Sequence, residues 1–375
     1  MSCVDDLFEK LKAKDLEGLT RSDLKKFEEK LRQERIGRDA DSVIDRANEL
    51  GDEEVILAFR EKRQAALNRR AQVRAIQFVQ KTFPDDLALG MEAIQVGVNI
   101  ARKRSKMSAD AAARRLFRKY ARGVETDLRK ADVFEEFRKN VYDREEADAL
   151  YRLGKGLDTS DIPEPAVKIA RVMKKYEDLS RADANAAGAW IANLPGYIIS
   201  QSHDMFRIRR VDFKTWRDVI LPKLDQELTF KEFAHLRLED AKAYGVQVEK
   251  FLNDTYIALS SGVHLSGAGM DSVELPRGVR GIGGDVASRM SASRVLHFTD
   301  GLAWFDYNSQ FGINNMNQAF LFGLRRMGQN TGLMQVFGPN ANANRSAIMA
   351  TLLRTKDAKQ RGRLDTAKKK LMNQW

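Results

Sequence analysis

The chain has 375 residues and a formal charge of +11, and its 31% charged and 43% hydrophobic residues make a globular composition, which excludes a disordered chain. That length is enough for two or three domains with sizeable cores. No apolar run approaches the roughly 18–20 residues of a membrane-spanning helix, Met1-Ser2-Cys3-Val4-Asp5-Asp6 lacks the pattern of a signal peptide, and the lone Cys3 leaves no internal disulfide and points to synthesis in a reducing cytoplasm.

The first 160 residues contain one proline, Pro84, and read as helix almost throughout. Thr20-Arg21-Ser22-Asp23 is a start signal, followed by Leu24, Phe27 and Leu31 at helical spacing. A short helix near 41–50 should end at Gly51. A long basic helix is predicted over 53–83, stopped by Pro84. Further helices are predicted over 86–104, 109–122 and 127–153, with breaks at Ser108, Gly123 and Gly154. No fixed-period repeat is visible.

Pro163 and Pro165 can open the next helix, where a missing N–H is harmless, and Ile169, Val172, Met173 and Tyr176 form its apolar stripe. The Leu194-Pro195-Gly196 turn precedes the helix carrying His203. Thr229-Phe230-Lys231-Glu232 fits a capping box, whose helix runs through Phe251, Leu252, Tyr256 and Leu259 to Gly262, with Gly245 a point of interruption. Seven glycines and Pro276 between Gly262 and Gly284 predict a loop. Helices resume over 299–311, 313–327 and from Arg345 onward, and Val295 to Phe298 reads as a short extended piece. The fold class is all-α, an elongated multi-helix bundle. Its divisions are a basic N-terminal helical domain (1–160), a central helical domain (161–262), and a glycine-rich hinge followed by an aromatic-rich helical region and basic tail (263–375).

Charge is concentrated. Residues 101–122 hold nine bases, Arg102, Lys103, Arg104, Lys106, Arg114, Arg115, Arg118, Lys119 and Arg122, against one acid, Asp110. The tail from Arg354 to Lys370 holds eight against Asp357 and Asp365. Such local excess suits a polyanionic neighbour, nucleic acid or anionic lipid. At 100° per residue, Ala113, Leu116, Phe117 and Tyr120 share one side of a helix and Arg114, Arg115, Arg118, Lys119 and Arg122 lie opposite. Either this is a solvated surface or it is a phosphate- or lipid-contacting face; the scarcity of acids favours contact, because ordinary surface helices mix signs.

Other patterns carry less chemistry. His203, His235, His264 and His297 are too scattered for a zinc pattern, so no metal or cofactor is expected. Ser202-His203-Asp204 has the residue types of a hydrolase triad, but neighbours on a helix point about 100° apart and cannot align; a cap or an interhelical hydrogen bond suits them better. Gly278-Val279-Arg280-Gly281-Ile282-Gly283-Gly284 lacks the Lys-Ser/Thr ending of a phosphate loop and reads as a hinge. Trp304, Phe305, Tyr307 and Phe311, with Phe320, Phe322 and Phe337, read as core, as an oligomer interface or as a base-stacking surface.

Several stretches have idiosyncratic wording: Asn193 to Asp204, Trp216 with Ile220-Leu221-Pro222 and Asp225, Tyr256 to His264, and Arg294-Val295-Leu296-His297-Phe298. Asp306-Tyr307, Phe311-Gly312 and Gly338-Pro339-Asn340 complete the set. In this order they resemble the internal virion (ejection) proteins of short-tailed bacteriophages and related large multidomain phage virion proteins, over roughly Ala187 to Pro339. The resemblance implies a non-enzymatic protein packed in the virion, released with the genome, and contributing to a DNA conduit across the host cell envelope. It implies other virion proteins, a homo-oligomeric ring or tube, viral DNA bound weakly and without sequence preference, and the host envelope as partners, with no small-molecule substrate. The chain is then a compact member or the N-terminal part of a longer one. Two alternatives remain: a helical nucleic-acid-binding or packaging-associated virion protein, and a non-catalytic part of a larger phage enzyme.

Overall fold

The computed structural model describes residues 53–97, 99–100, 103–104, 108–198, 203–261, 286–287 and 296–354. The helices expected before residue 51, the loop over 262–284 and the basic tail beyond Arg354 lie outside the described residues. Within them the protein is all-α.

Helix α1, Glu53–Thr82, ends just before Pro84 as the sequence predicts. Helix α2, Leu87–Gln95, starts where the Asp86 carboxylate accepts from Leu89 N at 3.0 Å. The single helix expected over 86–104 is corrected here. Gly97 turns left-handed at φ +76°, and the chain doubles back through an antiparallel pairing of β1, Asn99–Ile100, with β2, Lys103–Arg104. Val96, Val98 and Ile100 are β-branched, and a glycine stop placed among them outweighs helical continuation.

Helix α3, Ala109–Lys130, is capped by Ser108 Oγ, which accepts from Ala111 N at 3.0 Å. It runs straight through Gly123, expected as a break. A Cβ there would lie 2.3 Å from the Tyr176 hydroxyl, so the glycine serves close packing and not termination. Its propensity cost of about 1 kcal/mol is offset by tertiary contact. The breaks fall instead at the left-handed Asp132 and Asn140. They separate α3 from α4, Phe134–Lys139, and α4 from α5, Asp143–Lys155, which contains Gly154.

Helix α6, Glu164–Ala187, begins after Pro163 with Pro165 in its first turn. Short helices follow: α7 Met205–Arg209, α8 Phe213–Ile220, α9 Gln226–Thr229 and α10 Leu236–Glu239. The capping box expected at Thr229 does not form. Asp225 caps α9 through Leu228 N at 3.0 Å, and the Thr229 hydroxyl instead bonds His297 O and N, each at 3.2 Å. Helix α11, Ala241–Ser261, passes through Gly245. Helices α12, Gly301–Phe311, and α13, Met316–Phe337, take their caps from Asp300 and Asn315, and α14 spans Ala341–Arg354.

Helix α13 is the organising element, packed against α3, α6, α1 and α14. Gly328 and Gly332, one turn apart, let it settle onto α3: a Cβ at Gly332 would meet Ala113 N at 2.6 Å and Ala109 O at 2.9 Å. The main core runs from Leu116 of α3 to Leu324 of α13 and includes Trp216, Phe230, Trp304 and Tyr307. It draws on all three sequence segments, so the boundaries near 160 and 262 divide the chain and not the core. A second, smaller core joins Ala75, Val79, Met91 and Ile94 to Phe337, Ile348, Met349 and Leu352.

Candidate nucleic-acid interface

The α3 pattern folds as its wheel dictates. Ala109, Ala112, Leu116, Tyr120, Val124 and Leu128 are buried, while Arg114, Arg115, Arg118, Lys119 and Arg122 are exposed. Of the other bases in this run, Arg102 and Lys106 lie outside the described residues, and Lys103 and Arg104 form β2.

The five exposed bases are not equivalent. Arg114 is ion-paired with Asp110 one turn earlier. Lys119 donates to Asp183 of α6 at 2.7 Å, and the neighbouring Tyr120 hydroxyl donates to the same carboxylate at 2.8 Å. The relation is reciprocal: Lys175 and Tyr176 of α6 donate to Asp127 of α3 at 2.6 and 3.0 Å. Each helix thus clamps one aspartate of the other with a Lys-Tyr pair. Lys175, then Tyr176, holds the Asp127 carboxyl below its ordinary range. Burial, reinforced by Asp127, pushes the Tyr176 phenol up to about 12, and burial with Asp183 raises that of Tyr120.

That leaves Arg115, Arg118 and Arg122 as an exposed basic stripe. Arg115 reaches the Gln335 side chain at 3.5 Å, and Arg118 and Arg122 have no acidic partner among the described residues. Asp110 was visible in the sequence as a neutralising neighbour. Asp183 was not, because it arrives from 63 residues beyond Tyr120.

The aromatic set expected as a candidate oligomer interface is corrected for four of its six members. Trp304, Tyr307, Phe311 and Phe320 are buried in the chain's own core. Tyr307 is its centre: its hydroxyl accepts from Trp216 Nε1 at 3.1 Å, and its ring lies 5.2 Å from Phe311, 5.4 Å from Phe298 and 5.8 Å from His203. Burial of that kind closes the rings to a neighbouring subunit and to stacking bases alike. Phe305 is half-buried and Phe322 is exposed. Several of the idiosyncratic stretches meet around Tyr307, while Gly338-Pro339-Asn340 lies apart, against Asn68 of α1. His203 bridges to Gly312, Asp204 N donates to Phe311 O at 2.7 Å, Leu224 bridges to Phe298, and Asp225 N donates to His297 O at 2.9 Å.

Asp204, the acid of the apparent triad, is a helix cap. Its carboxylate caps α7 through Phe206 N at 2.9 Å and Arg207 N at 3.2 Å, the helix-cap role that its position suggested. Among the described residues no three His, Cys, Asp or Glu side chains gather in a way that could hold a metal ion, and no helix is long and apolar enough to cross a membrane. A cavity of about 20 Å³ beside Tyr151, Gly196, His297 and Trp304 has room for about one water.

Sequence reasoning missed an acidic pair, half-buried Asp143 and buried Glu146. Asp143 and Glu146, one turn apart on α5, sit beneath the start of α13. Glu146 is fully buried, and the polar group that favours its charged form is the Asn317 side chain beside it. The Asn317 amide also donates to Phe137 O at 2.8 Å and Asn140 Oδ1 at 3.2 Å. Burial, with the negative neighbour Asp143, pushes the Glu146 carboxyl up to about 8. Burial pushes that of Asp143 up to about 6. Acids in a first helical turn normally read as surface capping charge, which hid them.

Chemically, the surface of α3 offers guanidinium forks to anions, and Glu146 is a carboxyl that burial holds towards its neutral form inside the core. Comparisons with protein families, with curated proteins and with solved structures find no match for this chain.

Proposed function

We propose that this chain is a structural virion protein of the ejection type that meets the DNA phosphate backbone, without sequence preference, through Arg115, Arg118 and Arg122. The observation that carries the DNA contact is that stripe: three arginines on the outer face of one rigid helix, with no carboxylate among their partners in the described residues. Arginine favours phosphate because its planar fork can bond two oxygens at once. An anionic bilayer fits less well. No apolar side chain interrupts the outer face of α3, whereas interfacial helices anchor by burying one. The delivery role rests on the resemblance of the idiosyncratic stretches, several of them gathered around Tyr307, to ejection proteins. In that role the protein leaves the virion with the genome and assembles with its copies and other virion proteins into a conduit in the host envelope.

Duplex DNA binding measured against salt tests the contact. Three phosphate contacts give a slope of log affinity against log salt near about −3. The R115Q/R118Q/R122Q variant should flatten it while keeping helicity, since Gln is a comparable helix former. An unchanged slope returns the face to ordinary solvated surface. Electron microscopy of the purified chain with and without lipid nanodiscs tests the conduit: rings or tubes support it, and monomers under both conditions count against it.

A further inference from the structure

Helix α1 presents a second run of bases that the reading above leaves unused. From Lys62 to Thr82 it contains no acidic residue, and Arg70 and Arg74, four residues apart, share one exposed face. They flank the inner stripe Ala71, Ala75 and Val79, and so lie along the seam with α13. Arg74 Nη2 donates to the main-chain oxygen of Gln335 at 2.8 Å. Arg115 of α3 reaches the side-chain oxygen of the same residue at 3.5 Å.

Two guanidinium groups from different helices therefore converge on one neutral residue, and among the described residues no carboxylate pairs with either. Like charges that share one neutral neighbour repel, and an anion lying between them removes the repulsion. The geometry extends on both sides. Gly332 lies against Ala109 and Ala113 and Gly328 against Ala113 and Phe117, so α13 runs antiparallel to α3. Gly338 lies against Asn68, while Gln335, earlier in α13, meets Arg74, later in α1; α13 is thus antiparallel to α1 as well. Helices α1 and α3 run in the same direction on either side of α13.

We propose that α1 and α3 are the two banks of one phosphate-binding track, joined at Gln335, with Arg70 and Arg74 on one bank and Arg115, Arg118 and Arg122 on the other. The ligand class is a phosphodiester polyanion, here duplex DNA, and the inference rests on the DNA contact proposed for α3. Arg69 and Lys81 of α1 are exposed as well, but Arg70 and Arg74 are the bases on the Gln335 side.

The test uses the full chain and a mixed-sequence 24-base-pair duplex, read by fluorescence anisotropy across a salt series. Five contacts predict a wild-type slope near about −4.5, and each lost contact removes about 0.9. R70Q/R74Q should flatten the slope by about 1.8 and weaken binding about tenfold or more at 0.1 M salt. R70K/R74K, which keeps the charge, should retain most of the slope, and circular dichroism confirms that each variant is folded. If R115Q/R118Q/R122Q flattens the slope and R70Q/R74Q does not, α1 is outside the track and this inference fails while the α3 contact stands. If neither variant alters the slope, the α3 reading falls and takes this one with it. If only R70Q/R74Q acts, or if the arginines are needed for phosphatidylglycerol vesicles and not for DNA, the shared track is overturned.

Discussion

The two cores of this protein are held together differently. Around Tyr307 the contacts are large and aromatic: His203, Trp216, Tyr256, Phe298 and Phe311 come together from distant parts of the chain and interlock through rings and one indole–phenol hydrogen bond. Along α1 the buried positions are small, Ala71, Ala75 and Val79, and specificity comes from polar side chains. Arg63 donates to Asn185 O at 2.6 Å, and Asn68 accepts from Asn340 N at 3.0 Å and from Asn344 Nδ2 at 2.6 Å. Apolar burial scales with area, so the first region should set global stability and the second should open locally.

The largest expected effect lies in the aromatic region. Trp216 is fully buried, and Trp216→Ala removes its packing and its bond to Tyr307 together. The expected loss is about 3–5 kcal/mol in urea denaturation. Trp216→Phe keeps the ring, loses the donor and should fall well short of that. A loss under about 1 kcal/mol for the alanine variant would break the comparison, because the aromatic cluster would then not be the stability centre.

Second comes the pH response, which also belongs to that region through α5 and the start of α13. Glu146 has its carboxyl raised to about 8 and Asp143 to about 6 by burial. The folded state therefore holds protons that the unfolded chain releases near the ordinary carboxylate range. Their contribution is complete below that range and is lost as pH rises through about 6 and then about 8. Stability should fall between pH 5 and 8.5, mostly through Glu146, by an amount on the order of 4 kcal/mol, since each tenfold difference in proton affinity between the folded and unfolded chain is worth about 1.4 kcal/mol. Glu146→Gln, which keeps the shape and cannot ionise, should flatten most of that slope. A variant with the parent's full pH dependence would place the titration elsewhere.

These regions also differ in how far their sequence could be read. Helices with punctuation at their ends were legible: Pro84 closes α1, and Pro163 precedes α6. The outer and inner faces of α3 followed from periodicity alone. Glycine misled wherever packing, and not backbone conformation, explains it. Gly123 accommodates Tyr176 and Gly332 accommodates Ala113, yet from sequence both resemble helix breakers. Within the candidate site, the arginine stripe was visible, but its neutralised members were not. Asp183 closes on Lys119 and Tyr120 only after α6 has packed on α3. Gln335 joins α1 to α3 across more than 200 residues of sequence. Contacts of that range leave no local signal.

The smallest expected effect tests the α1 seam. Asn344 is almost fully buried and uses its amide in three directions: Nδ2 donates to Asn68 Oδ1 and Phe337 O, each at 2.6 Å, and Oδ1 accepts from Gln72 Nε2 at 2.6 Å. Asn344→Ala leaves those partners underbonded in a seam whose apolar contacts are small, and the expected cost is about 1–2 kcal/mol. Asn344→Asp is the sharper variant. It matches the shape and keeps the acceptor for Gln72, yet a carboxylate cannot donate to Asn68 or Phe337. It should be at least as damaging as alanine, which a purely steric role would not produce. The distribution of the damage matters more than its size. Hydrogen exchange should quicken in α1 and α14 while the amides of α8 and α12 keep their protection, because the seam can open without disturbing the rings around Tyr307. If protection instead falls equally in both regions, α1 and the aromatic core unfold as one unit, and the division drawn between them is wrong.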